Sequence, residues 1–158
     1  MLNYNVKIGL VAMRRNTTDR PRGTFLTWYS AEQRGKKFVK YIEDNFTTDK
    51  VSFVNSNGIG IEGLVFDDKS AAEVVERFKA ENVDAVMIIN CNFGNEEAAA
   101  DIAMALGKPV LLWAPLDDEY YIDGMRTTDS QWCINTDAAL SHSLLSYPLL
   151  QSGIHRIL

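Results

Sequence analysis

The stretch Val83–Pro115, VDAVMIINCNFGNEEAAADIAMALGKPVLLWAP, reads as strand, loop, helix, strand. Asp84 to Asn90 is an apolar run without alternation, the pattern of a strand covered on both faces. Asn92-Phe93-Gly94-Asn95 breaks it. Asn95 suits a helix N-cap, and Glu96 and Glu97 fall in the first turn, where the helix dipole favours carboxylates. Ala98, Ile102 and Leu106 follow at helical spacing. Gly107 stops the helix, and Pro109 opens the apolar run Val110 to Trp113. Such a βαβ unit crosses over right-handed onto a parallel sheet. The loop Cys91 to Asn95 therefore belongs to the carboxyl edge of that sheet, where α/β proteins place their ligands.

The rest of the chain extends this unit. With 158 residues, 46% apolar and 23% charged, it has the material for one globular α/β domain over residues 1–158. A net charge of -5 gives no basic footprint for nucleic acid. No apolar run is long enough to span a membrane. The amino terminus, MLNYNVKIGLVAMRR, places its charges after the apolar run, opposite to a signal peptide. Cys91 and Cys133 read as ordinary thiols of a cytoplasmic protein rather than as a disulfide.

Val6 to Met13 reads as the first strand, ended by Arg14-Arg15, and NTTDRPRGT as a polar loop. Ser30-Ala31-Glu32-Gln33 fits a capping box. Ala31, Gly35, Phe38, Ile42 and Phe46 then mark the buried stripe of a helix ending near Asn45. Val51 to Val54 is a short second strand. Asn55 to Asp68 is a glycine-rich loop with room for an extended piece at Leu64 to Phe66. Ser70-Ala71-Ala72-Glu73 fits a second capping box, for a helix with Ala71, Val74, Val75 and Phe78 inward and an end near Asn82. Downstream, Leu116 to Gln131 is a long polar loop. Residues from about Thr136 read as a fourth helix, with Leu140 and Leu144 inward and Pro148 disturbing its last turn. Ile154 to Leu158 would be a fifth strand. Together these predict a three-layer αβα sandwich on a five-stranded parallel sheet of flavodoxin-like, Rossmann-like topology, order 2-1-3-4-5. The switch point then falls between strands one and three. Met13 to Asn16 and Cys91 to Asn95 stand at its mouth, and Pro115 to Tyr120 is the next neighbour.

Several groups invite a chemical reading. Gly58, Gly60 and Gly63 match G-x-G-x-x-G, but the motif does not join the first strand to a helix, so a plain loop explains it better. Arg14, Arg15, Arg20 and Arg22 crowd the loop after strand one. Arg14 or Arg15 would hold an anionic or polyhydroxyl ligand by forked hydrogen bonds, or else belong to a solvated loop or a subunit contact. Asp117, Asp118, Glu119 and Asp123 offer carboxylates to a hard cation, with nothing to fix their geometry beyond a solvated loop. Trp113 and Trp132 would stack on a sugar ring or serve as core and interface aromatics; the two readings are even for Trp132, and the core is favoured for Trp113. His142 and His155 join no Ser-His-Asp, Cys-His or His-x-x-x-His set, which argues against a triad or a zinc site. No complete catalytic set is present.

Three stretches carry a family resemblance: WYSAEQRGKKFVKYIEDNF at Trp28–Phe46, the Val83–Pro115 unit, and DGMRTTDSQWC at Asp123–Cys133. On them the chain resembles, over nearly all its length, the N-terminal domain of the L-fucose isomerase / L-arabinose isomerase family, most strongly the fucose-isomerase-like branch. The resemblance implies metal-dependent aldose–ketose interconversion, a role in carbohydrate metabolism, through an enediol. It implies a divalent metal, usually manganese, held by two carboxylates and a histidine of second and third domains, so that this chain itself binds no cofactor or metal. It also implies a small-molecule sugar as substrate and a homo-oligomer in which the first domain lines a neighbouring subunit's active site. The arginine that closes strand one in fucose isomerases falls on Arg14 or Arg15. By loop location, Asn92, Phe93, Gln131 and Trp132 join the substrate-binding set. A complete isomerase is much longer than 158 residues. The expectation is therefore an excised domain, a truncated product or a module used alone, in each case without isomerase activity. The rival readings are a stand-alone sugar or sugar-phosphate sensor and a flavodoxin-like carrier or receiver. The strand ends lack the acidic pair and lysine of a phospho-acceptor.

Overall fold

The computed structural model describes residues 4–16, 28–92, 94–113, 115, 121–122, 125–126 and 154–157. It is an α/β structure built on a parallel sheet. Strand β1 (Val6–Arg14) lies between β2 (Val51–Asn55) and β3 (Ala85–Asn92), and β4 (Val110–Trp113) pairs with the far side of β3. Three helices, α1 (Trp28–Phe46), α2 (Asp68–Ala80) and α3 (Glu96–Leu106), cover the two faces. The unit centred on Val83–Pro115 folds as its sequence predicts. Asn95 caps α3 by accepting from the Ala98 amide at 2.9 Å, and Gly107 closes the helix at φ 59°, a left-handed conformation that glycine adopts without a Cβ penalty.

The strands carry no polar alternation because both faces are buried. Val11 and Met13 of β1, Val86 and Ile88 of β3, and Val110 and Leu112 of β4 share one core with Val74 and Phe78 of α2 and Ala98 and Ile102 of α3. Leu10, Ala12, Ile89 and Cys91 form the opposite core with Ala31, Val39 and Ile42 of α1. Gly9 is required by close approach: a Cβ there would stand 2.3 Å from the Phe78 ring.

Four expectations need correction. The first helix begins at Trp28, so Ser30 lies inside it and is not its cap. Phe46 is 54% exposed, edge-on to Tyr41 at 6.2 Å, because it falls in the last turn beyond the reach of the sheet; Val39 takes the buried place. The second helix is capped by Asp67, three residues before the expected serine. The Asp67 carboxylate accepts from the Ser70 amide at 2.8 Å, and Ser70 Oγ accepts from the Asp67 amide at 3.2 Å, a reciprocal box in which a carboxylate faces the helix dipole. Within Leu116–Gln131, Tyr121–Ile122 (β5) and Met125–Arg126 (β6) pair antiparallel, so the segment is not all loop. The expected helix from Thr136 lies outside the described residues.

The extended piece at Leu64 to Phe66 is present and has a definite task. Beyond Asn55 the chain leaves the sheet, passes through the glycine loop, and returns to β1 at Val65. The Val65 amide donates to the Ala12 carbonyl and the Arg14 amide to the Val65 carbonyl, each at 2.9 Å. Buried Ser56 ties the two ends of the excursion: its Oγ accepts from the Ala12 amide at 3.3 Å and donates to the Gly63 carbonyl at 3.2 Å. The carboxyl half of β1 is thereby held on both sides.

Candidate functional site

The carboxyl ends of β1 and β3 meet in register. Met13 lies opposite Asn90 and Arg14 opposite Asn92; the ladder skips Cys91, a one-residue bulge at the rim of the sheet. Bulges concentrate at such rims because the extra residue re-aims the chain. The bulge brings the Arg14 and Asn92 corners side by side, as the switch-point reading requires. The two arginines differ. Arg14 is 3% exposed, its Nη1 donating to the Arg15 carbonyl at 2.9 Å, whereas Arg15 is exposed. Burial pushes the Arg14 guanidinium below its ordinary pKa by desolvation, and an arginine so placed still carries its charge near neutral pH.

Past the end of β3, Gly94 and Asn95 lead into α3. Asn95 performs two tasks at once: Oδ1 caps α3, and Nδ2 donates to the Phe66 carbonyl at 2.9 Å, joining the helix start to the segment that flanks β1. Glu96 and Glu97 occupy the first turn beyond it. On the α1 side, Arg34 Nη2 donates to the Pro115 carbonyl at 3.3 Å, and Trp113 packs edge-on to Phe38 at 5.0 Å, which makes Trp113 a core aromatic. Phe93, Gln131 and Trp132 lie outside the described residues.

One residue of the rim escaped the sequence reading. Asn90 is buried, and among the described residues its Oδ1 meets no hydrogen-bond donor. The available signal was its place: an amide ending an otherwise apolar strand run, one step before the carboxyl edge of the sheet.

The glycine motif lies elsewhere. Gly58, Gly60 and Gly63 all take positive φ in the excursion between β2 and Val65, and none opens a helix. With Lys36, Lys40 and Glu43 of α1 this loop lines a surface groove of 630 Å³. Three of its charged side chains are engaged locally: Lys36 with Glu32, Lys40 with Asp44 at 2.7 Å, and Glu43 with the Asn55 amide at 2.8 Å. Cys91 is buried within the α1-side core, its Sγ donating to the Ile89 carbonyl at 3.6 Å. Among the described residues no three His, Cys, Asp or Glu side chains converge, and no helix is long and apolar enough to cross a membrane.

Comparison with curated proteins returns no match. Among solved structures, the chain is similar to the transcription regulator CcpA of Lactococcus lactis at 14% identity and a TM-score of 0.32, over 96% of this chain and 58% of that one. The sequence model of the fucose/sulfoquinovose isomerase N-terminal domain matches residues 17–152. The chain belongs to that family of sugar-isomerase N-terminal domains.

Proposed function

We propose that this chain is the first domain of a metal-dependent sugar ketol-isomerase, lining the substrate site and supporting assembly of a homo-oligomer. The observation that carries the reading is the bulged register that sets Arg14 beside Asn92 at the carboxyl edge of β1 and β3. An arginine there offers planar, forked donors to ligand oxygens, and the strand ends around it form the kind of crevice in which open α/β sheets bind small molecules. In this reading Arg14, Arg15, Asn92 and Phe93 line the sugar, with Gln131 and Trp132 contributed by the later loop. Family membership supports the substrate class. The fifth strand belongs to the same reading: Ile154–Ile157 (β7) aligns parallel to β4, Val110 opposite Ile154 and Trp113 opposite Ile157, which supports the order 2-1-3-4-5. The manganese of the reaction is assigned, on the family resemblance, to further domains of a full-length, cytoplasmic enzyme.

Incubated with manganese and L-fucose, L-arabinose or sulfoquinovose, this chain alone shows no turnover. Robust activity would overturn the domain assignment. Calorimetric titration with the same sugars is silent at micromolar concentration, since a lining domain contributes only part of the contacts. Micromolar binding would instead support a free-standing sugar sensor.

A further inference from the structure

At the carboxyl rim, among the described residues, Asn90 Oδ1 is a buried acceptor that neither packing nor hydrogen bonding accounts for. Asn90 is 3% exposed, yet among the described residues its Oδ1 accepts no hydrogen bond. A buried amide oxygen in this state has given up water and received nothing, and such atoms are rare in folded chains. An aliphatic residue would extend the face of Val86 and Ile88 with no polar atom to desolvate, so core packing does not call for an amide here. The neighbours do not supply the missing donor. Met13, opposite in register, presents a thioether, and the Asn95 amide is committed to the Phe66 carbonyl.

Location gives the vacancy a meaning. Asn90 stands one rung inside the Arg14–Asn92 pair, next to the bulge at Cys91, where the ladder is already interrupted and local opening costs least. An acceptor lacks a donor, and Glu96 and Glu97 at the start of α3 disfavour an anion beside it. A neutral hydroxyl meets both conditions. Shielded from bulk water, the oxygen discriminates strongly between a ligand that carries the hydroxyl and one that does not.

We propose that Asn90 is a specificity-determining residue whose Oδ1 accepts a hydrogen bond from a hydroxyl of a sugar held between the ends of β1 and β3. This rests on the reading above, that the same notch lines the sugar site. The test is a nitrogen-correlated NMR titration of the whole chain with millimolar L-fucose, and in parallel with dioxane, a ring ether without hydroxyls. The side-chain amide pair of Asn90, assigned by its loss in Asn90→Leu, shifts saturably with the sugar and stays still with dioxane. If the backbone amides of Arg14, Arg15 and Asn92 respond while Asn90 does not, this proposal fails and the notch reading survives. If none of them moves, the notch reading fails and Asn90 falls with it. A shift of equal size with dioxane also overturns the hydroxyl assignment. Without sugar, Asn90→Leu unfolds at an equal or higher temperature than the parent chain, because no hydrogen bond is lost. A lowered unfolding temperature would show a structural bond at Asn90 and overturn the proposal.

Discussion

At the amino end of the β1–β3 pair, the Lys7 amide donates to Asp84 Oδ2 at 2.8 Å and the Asp84 amide donates back to the Lys7 carbonyl at 2.7 Å. Lys7 Nζ reaches the Glu81 carbonyl at 2.8 Å and the Glu81 carboxylate at 3.3 Å. These groups are exposed or half-exposed, and each has solvent as a second partner. At the carboxyl end of the same two strands, Arg14, Asn90 and Ser56 are buried, and Asn90 Oδ1 is left without a donor. One rim is wet and its groups have solvent to fall back on; the other buries its polar side chains and leaves Asn90 Oδ1 without a donor among the described residues. A chain selected for stability alone would gain nothing from the second arrangement. Rules of consistency between packing and polar satisfaction break preferentially at functional sites.

The comparison is tested most severely at Ser56, which is buried at the dry rim but fully used. Ser56→Ala strips one partner from the Ala12 amide and one from the Gly63 carbonyl, where water does not readily replace them. We expect a loss of about 1–3 kcal/mol in denaturant unfolding, the range for orphaned buried polar groups. Set beside Asn90→Leu, the two variants separate a buried polar group that is satisfied from one that is not. Equal losses for both would mean that the two residues are equivalent and that Asn90 is an ordinary structural amide.

Asp67 offers an intermediate case, since its carboxylate is half-buried and bonded at a helix start, two residues beyond the Val65 segment that flanks the carboxyl end of β1. Asp67→Ala removes the acceptor of the Ser70 amide and the negative charge at the α2 dipole. A loss of about 1 kcal/mol is expected, the usual worth of an N-cap. Asp67→Asn, which keeps the acceptor, should recover most of it. Failure of the asparagine to rescue would assign the effect to charge rather than to capping.

What the sequence made legible follows the range of each interaction. Asn95, Gly107 and the unalternating strands were readable because caps and double-sided burial are local. The cap at Asp67 was misplaced because Ser70 is part of the box, but as its third helical residue, and Ser-x-x-Glu imitates the cap position. Phe46 kept helical spacing yet lay beyond the sheet, and spacing alone does not say where the partner ends. The switch point was legible from topology, and the juxtaposition of Arg14 and Asn92 came with it. The difference between Arg14 and Arg15, the bulge at Cys91 and the vacancy at Asn90 were not, because register and burial depend on three strands at once.

The smallest effect belongs to the wet rim. Lys7 Nζ and Glu81 Oε2 are 3.3 Å apart, with side-chain exposures of 37% and 52%, so the pair competes with water and with salt. Exposed pairs of this kind contribute about 0.2–1 kcal/mol, and Glu81→Gln keeps an acceptor for the ammonium while removing only the charge. Lys7 Nζ also retains the Glu81 carbonyl, which the substitution does not touch. The loss should therefore fall near the lower bound and fade as ionic strength shortens the screening length. Denaturant unfolding of the parent chain and Glu81→Gln at low and high salt reads both quantities. A salt-independent loss as large as that of Ser56→Ala would place a desolvated charge at the amino rim. The two ends of the β1–β3 pair would then no longer differ in kind, and the vacancy at Asn90 would lose the contrast that singles it out.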